Sequence, residues 1–353
     1  MNLADAVRPL RIEEGGDDGA VDTFVRGHAE GSPFHRPAWI AAVAAGTGQR
    51  AHRLIATRDG RIEGVLPLTA MRSMLFGKAL VSSGFAVGGG VLATSDEARE
   101  MLLAEGWRLA ERLGCPSLEL RGGALPCAGH GWQVKEDAYA GFSRPLATDD
   151  EAELKAIPRK QRAEVRKALG ADMAVTVGRG PKERAAHYAV YAESVRNLGT
   201  PVFPKRLFAE VLDRFGEDAD ILTISHEGRP VASVLSLYHG GVVMPYWGGG
   251  TWAARALRAN ELLYFALMRH ARERGCTAFD FGRSKFGTGA FAYKKNWGFE
   301  PRPLAYATRT ADGAEAREVN PLSPRYRMQI AVWKKLPLWV ANRLGPPLAR
   351  GLG

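Results

Sequence analysis

Cysteine is scarce in this chain of 353 residues: Cys115, Cys127 and Cys276 are too few and too scattered for a disulfide framework, and no pair stands at metal-ligand spacing. The expectation is a reduced, cytoplasmic protein with buried thiols and no metal. Uninterrupted apolar runs of about 18 residues are also missing, which excludes an obvious membrane-spanning helix but leaves peripheral contact with the inner face of the membrane open. The N-terminus reaches Glu13, Glu14, Asp17 and Asp18 without the basic flank and apolar core of a secretory signal. Gly88 to Gly90 and Gly248 to Gly250 fit neither G-x-G-x-x-G nor a G-K-[ST] ending, so dinucleotide and P-loop binding lack support. What is present is a globular composition, 46% hydrophobic and 24% charged, with 48 Lys and Arg against 38 Asp and Glu. The net charge of +10 points to an anionic partner or surface. The length suggests two domains of about 150 residues each.

The second half restates the first. Ala110 to Glu119 aligns with Ala271 to Asp280, Gly88-Gly89-Gly90 with Gly248-Gly249-Gly250, and the turn Asp59-Gly60-Arg61 with Glu227-Gly228-Arg229, all about 160 residues apart and in the same order. Each copy reads as a hairpin, then a helix stopped by glycine, then a short strand. The hairpins are His52–Thr57 with Ile62–Ala70, and Ile221–Ser225 with Val231–Tyr238. The helices are Arg99–Leu113 before Gly114 and Asn260–Arg274 before Gly275; the strands are Ser117–Leu120 and Ala278–Phe281. The fold is therefore mixed α/β. Between the copies, Pro158 opens a basic helix on which Arg159, Lys160, Arg162, Arg166 and Lys167 form either a phosphate-binding face or a plainly solvated one. A helix over Lys182–Val195 and the region Pro201–Phe215 complete the second copy, with Tyr188 and Tyr191 packing.

Chemistry concentrates in one segment. Asp280 ends a strand, Arg283 and Lys285 lie in the loop after it, and Tyr293, Lys294 and Trp297 follow. One carboxylate among several cations suits acyl transfer: an attacking amine must lose a proton, which Asp280 can accept, and Lys294 or Arg283 can hold an oxyanion. Equally, Asp280 could cap the turn and pair with Arg283. Tyr246 and Trp247 line a substrate groove or pack at an interface, and Asn260 and Glu261 are expected to cap the following helix. His35 and Cys276 have no visible catalytic partner and read as structural.

Several pieces in order resemble the FemAB-like aminoacyltransferases, which contain two tandem acetyltransferase-like (GNAT) domains. They are Pro33-Phe34-His35 with Trp39, the Pro158–Lys167 segment, Tyr246-Trp247 with Gly248 to Gly250, and Asn260-Glu261-Leu262-Leu263-Tyr264. Asp280-Phe281-Gly282 and Tyr293-Lys294 with Trp297-Gly298 complete the set, so the likeness covers about residues 30 to 310. The tail, Asn320 to Tyr326 with Trp333 to Pro337 and Leu344 to Pro346, is similar to the subgroup associated with exopolysaccharide and PEP-CTERM (XrtA) protein-sorting systems. The resemblance implies an α/β fold of two tandem GNAT-like domains, each a central mixed sheet flanked by helices. It implies an N-acyltransferase in cell-envelope, peptidoglycan-bridge or exopolysaccharide synthesis, with aminoacyl-tRNA or acyl-CoA as cosubstrate, no tightly bound cofactor, and an amine on a lipid-linked acceptor. On this likeness Lys294 stabilises the transition state, with Tyr293 before it where Phe is commoner and Trp297 after it where Phe is usual. Acetylation of a sugar amine from acyl-CoA and a noncatalytic protein recognising an anionic glycolipid are the alternatives.

The expected boundaries are a lead-in over 1–29, domains over 30–150 and 151–310, and a tail over 311–353. Residues 320–353 contain no acid and hold Arg325, Arg327, Lys334, Lys335, Arg343 and Arg350, six of the net ten charges, among aromatic and aliphatic residues. Arg327, Trp333, Lys334, Lys335 and Trp339 are expected to touch a membrane surface, or the tail packs on the domains. Because charge is split between a short helix and this tail, sequence-specific DNA binding is not expected.

Overall fold

The computed structural model describes residues 8–73, 76–126, 129, 131–314 and 324–353, with side chains of 324–327 excluded. Cys127, the stretch Asn320 to Ser323 and the Arg325 and Arg327 side chains lie outside the described residues. The chain forms two compact units, one from Met1–Lys135, Ala305–Glu318 and Gly351–Gly353, the other from Glu136–Leu304 and Val319–Arg350.

In the first unit the chain runs β1 (Arg11–Glu14), α1 (Asp18–Gly27), α2 (Pro37–Thr47), β2 (Arg50–Arg58), β3 (Arg61–Ser73), β4 (Gly77–Ser82), β5 (Leu92–Ala93), α3 (Asp96–Arg112) and β6 (Ser117–Arg121). The β2–β3 hairpin turns at Asp59 and Gly60, both with positive φ (50° and 76°), which matches the twist of the flanking strands. β3 pairs antiparallel with β4, and β4 pairs parallel with β6 at Leu80–Leu118 and Val81–Glu119. The crossover is α3, capped by Ser95, whose side chain accepts from the Ala98 N–H. Its buried Leu102, Leu103, Trp107 and Ala110 recur at helical spacing and meet Leu66, Leu80 and Leu118 in the core.

The second unit begins with β7 (Trp132–Pro145), which contributes residues from 136 onward, and continues with α4 (Asp150–Ala156), α5 (Arg159–Leu169), β8 (Ala174–Gly178), α6 (Pro181–Leu198) and α7 (Lys205–Phe215). Then come β9 (Ala219–His226), β10 (Arg229–His239), β11 (Val242–Gly250), α8 (Ala254–Leu257), α9 (Ala259–Glu273), β12 (Ala278–Lys285), α10 (Gly289–Asn296), β13 (Pro301–Thr310), α11 (Pro324–Lys335) and α12 (Leu338–Ala349). The strand order is β7-β12-β11-β10-β9-β8. The β9–β10 hairpin again turns through two positive-φ residues, Glu227 (50°) and Gly228 (73°). β10 and β11 are antiparallel, α9 crosses over, and β12 returns parallel to β11 at Val242–Ala278 and Val243–Phe279. Leu263, Ala266 and Leu267 of α9 pack with Leu222, Val234 and Phe279. Tyr306–Thr310 of β13 pair with β6 and belong to the first unit.

The two glycine triplets, alike in sequence, do different work. Gly90 lies after β4, where an added Cβ would stand 1.9 Å from the Gly122 oxygen; Gly123 lies closely, though less tightly, on Val91, with 2.6 Å to its oxygen. A bridge between Val91 and Gly123 holds this crossing together. Gly248 to Gly250 instead belong to β11. Backbone rather than a flexible side chain opposes Gly90, so Gly90→Ala is expected to cost about 3 kcal/mol or more in urea unfolding. A loss below about 1 kcal/mol would show that the loop yields.

Candidate active site

β11 and β12 pair only at their first residues and then diverge. Beyond Val243, β11 follows β10; beyond Phe279, β12 follows β7. Each strand carries an irregularity where they part. On β11, Trp247 faces Leu235 and Pro245 faces Ser236, leaving Tyr246 as the extra residue. On β12 the register with β7 shifts between Asp280 and Arg283, and Gly282 adopts φ 69°. Asp280 Oδ1 accepts the Gly282 N–H at 2.8 Å, so the carboxyl supports this bulge. Burial pushes the Asp280 carboxyl above the ordinary carboxylate range, against the opposing pull of the Gly282 N–H and of Lys294.

Lys294 comes from α10, whose N-cap Thr288 accepts from the Phe291 N–H. Its Nζ donates to the Arg283 oxygen at 2.8 Å and the Gly282 oxygen at 3.1 Å, and stands 5.4 and 5.6 Å from the Phe142 and Phe281 ring centres. An ammonium has three N–H donors, and these two carbonyls take two. Burial lowers the Lys294 pKa to about 8; Arg283 adds to the lowering, and Asp280 opposes it. Asp280, Arg283 and Lys294 therefore form one electrostatically coupled group at the divergence of the two strands. The Arg283 guanidinium lies over the Tyr139 ring at 4.7 Å. Lys285 is half-buried at the end of β12, where its backbone oxygen accepts from Thr288 Oγ1 at 2.8 Å.

The aromatic candidates are placed deeper. Trp297 is fully buried, and Trp247 packs edge-on to Phe208 at 4.8 Å and also against Phe203. Tyr246 meets Trp247 edge-on at 4.9 Å. Tyr293 lies beside Tyr264 and Trp297, and burial with the nearby Glu261 carboxyl pushes its phenol well up. The expected cap of α9 is not formed by Asn260 or Glu261: the cap position is Arg258, without a side-chain cap bond, so both residues fall inside the first turn. Asn260 lies against Gly250, where a Cβ would stand 2.8 Å from Asn260 Oδ1. Burial raises the Glu261 pKa as well. Ser284 did not stand out in the sequence: it lies between Arg283 and Lys285, is 6% exposed, and its Oγ has no hydrogen-bond partner. Strict alternation from the buried Phe279 and Phe281 would turn Arg283 inward; the bulge at Gly282 shifts the phase and buries Ser284 instead, so the sequence pattern carried no signal for it.

The basic helix α5 buries Gln161, Val165 and Ala168 and exposes Arg159, Lys160 and Arg166. Arg162 is turned to another use, donating to the Lys155 and Ile157 oxygens at 3.0 Å each and so closing the end of α4. Lys167 pairs with Glu164 at 2.9 Å. Gly298, just after α10, packs on Pro158 at the start of α5, where a Cβ would stand 3.1 Å from the proline Cδ. In the tail, Trp333 is half-buried, whereas Lys334, Lys335 and Trp339 are exposed. Among the described residues no group of three or more His, Cys, Asp or Glu could hold a metal, and no helix is long and apolar enough to cross a membrane. Cys115 is buried and Cys276 half-buried; both are free thiols whose pKa burial raises.

Residues 157–295 match the acetyltransferase (GNAT) domain family. No curated protein matches the chain in sequence. Among solved structures the chain is similar to FemX, with 17% identity, a TM-score of 0.67, and coverage of 84% of this chain and 96% of that one. A tandem GNAT protein from the clavulanic acid biosynthesis pathway has 16% identity and a TM-score of 0.54 over 87% of this chain and 100% of the other. The C-terminal domain of a putative lysylphosphatidylglycerol synthetase from Agrobacterium fabrum has 14% identity and a TM-score of 0.57 over 83% and 91%. With its mixed sheets, its crossover helices and the family match over residues 157–295, the chain has a GNAT-like fold of the kind seen in FemX and the tandem GNAT protein.

Proposed function

We propose that the chain is an N-acyltransferase built from two tandem GNAT-like halves, with its reaction centre in the second. The observation that carries this reading is Lys294: its Nζ is held by two carbonyls where β11 and β12 diverge, with one N–H left to direct at a reacting carbonyl. As an amine attacks an acyl donor, the carbonyl oxygen gains negative charge, and that N–H stabilises it. The amine must release a proton, and the Asp280 carboxylate, made more basic by burial, is the base. As the tetrahedral intermediate collapses, the acyl bond to the donor breaks and the departing hydroxyl or thiol group leaves with a proton. Arg283 adds positive charge on the same strand. Ser284, Tyr246 and Lys285 border the route of the substrates, while Tyr293, Trp247 and Trp297 shape the packing behind it.

The duplication is supported by the matching order of hairpin, antiparallel strand, crossover helix and parallel strand in the two units. In the first half Gly90 closes on Gly122 just after β6, and no lysine follows β6 at the place of Lys294. One half therefore retains chemistry and the other supports it.

The donor we favour is aminoacyl-tRNA, because Arg159, Lys160 and Arg166 expose positive charge on the helix that touches the end of α10. The acceptor is an amine of a lipid-linked cell-envelope precursor, met at the inner membrane face. The test incubates the purified full chain with radiolabelled aminoacyl-tRNAs and, separately, acyl-CoAs, across a panel of amine acceptors. Transfer from aminoacyl-tRNA is expected. Replacing Arg159, Lys160 and Arg166 together by alanine should raise its KM and flatten the log–log salt dependence by about 0.7 for each phosphate that the helix no longer neutralises. Transfer only from acyl-CoA would reassign the donor; no transfer from either class would remove the enzyme reading.

A further inference from the structure

The two tail helices have distinct faces. On the inner one, Ile330 lies against Gly199, where a Cβ would stand 2.4 Å from Ile330 Cγ2, and the Lys334 oxygen accepts from Arg196 Nη1 at 3.3 Å. Ala341, Gly345 and Ala349, four residues apart on α12, are buried, and Gly345 lies close to Val202. The tail is thus packed on α6 and the segment after it, and this packing fixes what points outward.

Outward stand Met328 (68% exposed) and Val332 (59%), one turn apart on α11, and Trp339 (72%) and Leu344 (47%) on α12. Leu198 (63%), beside Gly199 at the end of α6, joins them. Half of the ten exposed large hydrophobic residues among those described therefore lie on the tail helices or beside their seat. Lys334, Lys335 and Arg343 are exposed on the same two helices, and no acid occurs anywhere from 320 to 353.

We propose that this outer face of α11 and α12 docks on an anionic phospholipid bilayer. Apolar side chains stranded in water gain by entering the boundary between headgroups and acyl chains, and a tryptophan is well suited to that layer. Lysine and arginine at the rim remain in contact with lipid phosphates, and the absence of acids leaves no local repulsion. Dry protein interfaces are depleted in lysine at their centre, whereas here Lys335, one turn after Val332, adjoins the outward apolar residues and Lys334 stands exposed at their rim. The division also reassigns Trp333, half-buried on the inner side, from lipid contact to packing. This surface does not depend on the transfer chemistry, so activity on a water-soluble amine acceptor and vesicle binding can fail separately.

The test is co-sedimentation of the full chain with vesicles of phosphatidylcholine alone or with about one-third phosphatidylglycerol. Binding is expected to the anionic vesicles and to be weak on the neutral ones. Lys334→Gln with Lys335→Gln should weaken it about thirtyfold. Trp339→Ser with Leu344→Ser should weaken it about tenfold or more, with an unchanged far-UV spectrum because both side chains are exposed. Absence of binding, equal binding to both vesicle types, or indifference to both double substitutions would overturn the proposal. A chain that binds no vesicle and forms a dimer dispersed by Trp339→Ser with Leu344→Ser would assign the face to a second copy instead.

Discussion

Lys294→Ala is expected to reduce kcat for acyl transfer by about 10²- to 10³-fold, the usual consequence of removing one donor to a developing oxyanion. KM should change far less, because the spare N–H of Lys294 matters most when charge appears on the carbonyl oxygen. The pH profile supplies a second readout. The ammonium form carries the effect, so the parent rate should fall as pH rises through about 8, and this basic limb should disappear in Lys294→Ala. The acidic limb, set by Asp280 in its deprotonated role, should lie above the ordinary carboxylate range. Misfolding is separable from this loss by the sign of linkage. Lys294 binds its proton up to about 8 when folded but to 10.5 in its ordinary state, so between those values stability rises with pH. Below about 8 the cost of burying the charge is fully present. Lys294→Met is therefore expected to be at least as stable as the parent at pH 7 while remaining inactive. Retained kcat in a folded Lys294→Ala protein would remove Lys294 from the reaction.

Glu153→Gln is expected to destabilise the second unit by about 3–5 kcal/mol, measured by urea unfolding. Glu153 is fully buried, in the middle of a short helix whose other residues are exposed or partly buried. One carboxylate oxygen accepts from Arg144 Nη2; the other accepts from the Ala147 N–H at 2.9 Å and lies 3.7 Å from Arg272 Nη1. Arg144 in turn lies over the Phe299 ring at 4.6 Å and donates to the Pro145 oxygen. Removing the negative charge leaves the poorly solvated Arg144 guanidinium facing a neutral amide, while Arg272 keeps its pairing with Asp150. Glu151→Gln, two residues earlier, is the control: its partner is the exposed Lys155, and its loss should stay within about 0.5 kcal/mol. Equal effects at both positions would show that burial does not strengthen the Glu153 interaction.

Local signals made much of the fold legible. The Asp59-Gly60 and Glu227-Gly228 turns were readable because each hairpin needs two residues with positive φ, and the helices before Gly114 and Gly275 were readable from their apolar spacing. Asp280 and Lys294 stood out because both belong to one short charged segment. Their coupling was less visible: it depends on the bulge at Gly282, which turns two backbone oxygens toward Nζ. Trp247 and Trp297 looked like binding aromatics because a sequence does not distinguish a groove wall from a packed interior. Arg162 looked like part of a phosphate-binding face, and only the path of the chain into α5 shows that it closes α4. Glu153 carried no special signal, since burial of a carboxylate is decided by elements far along the chain.

By itself, the sequence determined the mixed α/β class, the repeated order of elements, the cluster of charged residues between 280 and 294 and the acid-free tail. These follow from turn preferences, apolar period and charge, all carried by neighbouring residues. Tertiary structure decided that the two glycine triplets differ, that Lys294 keeps one N–H unspent between diverging strands, and which side of the tail faces outward. Those outcomes depend on distances between segments far apart in the chain, where a close backbone approach, such as Gly90 on Gly122, is set by the path of the chain and not by neighbouring residues.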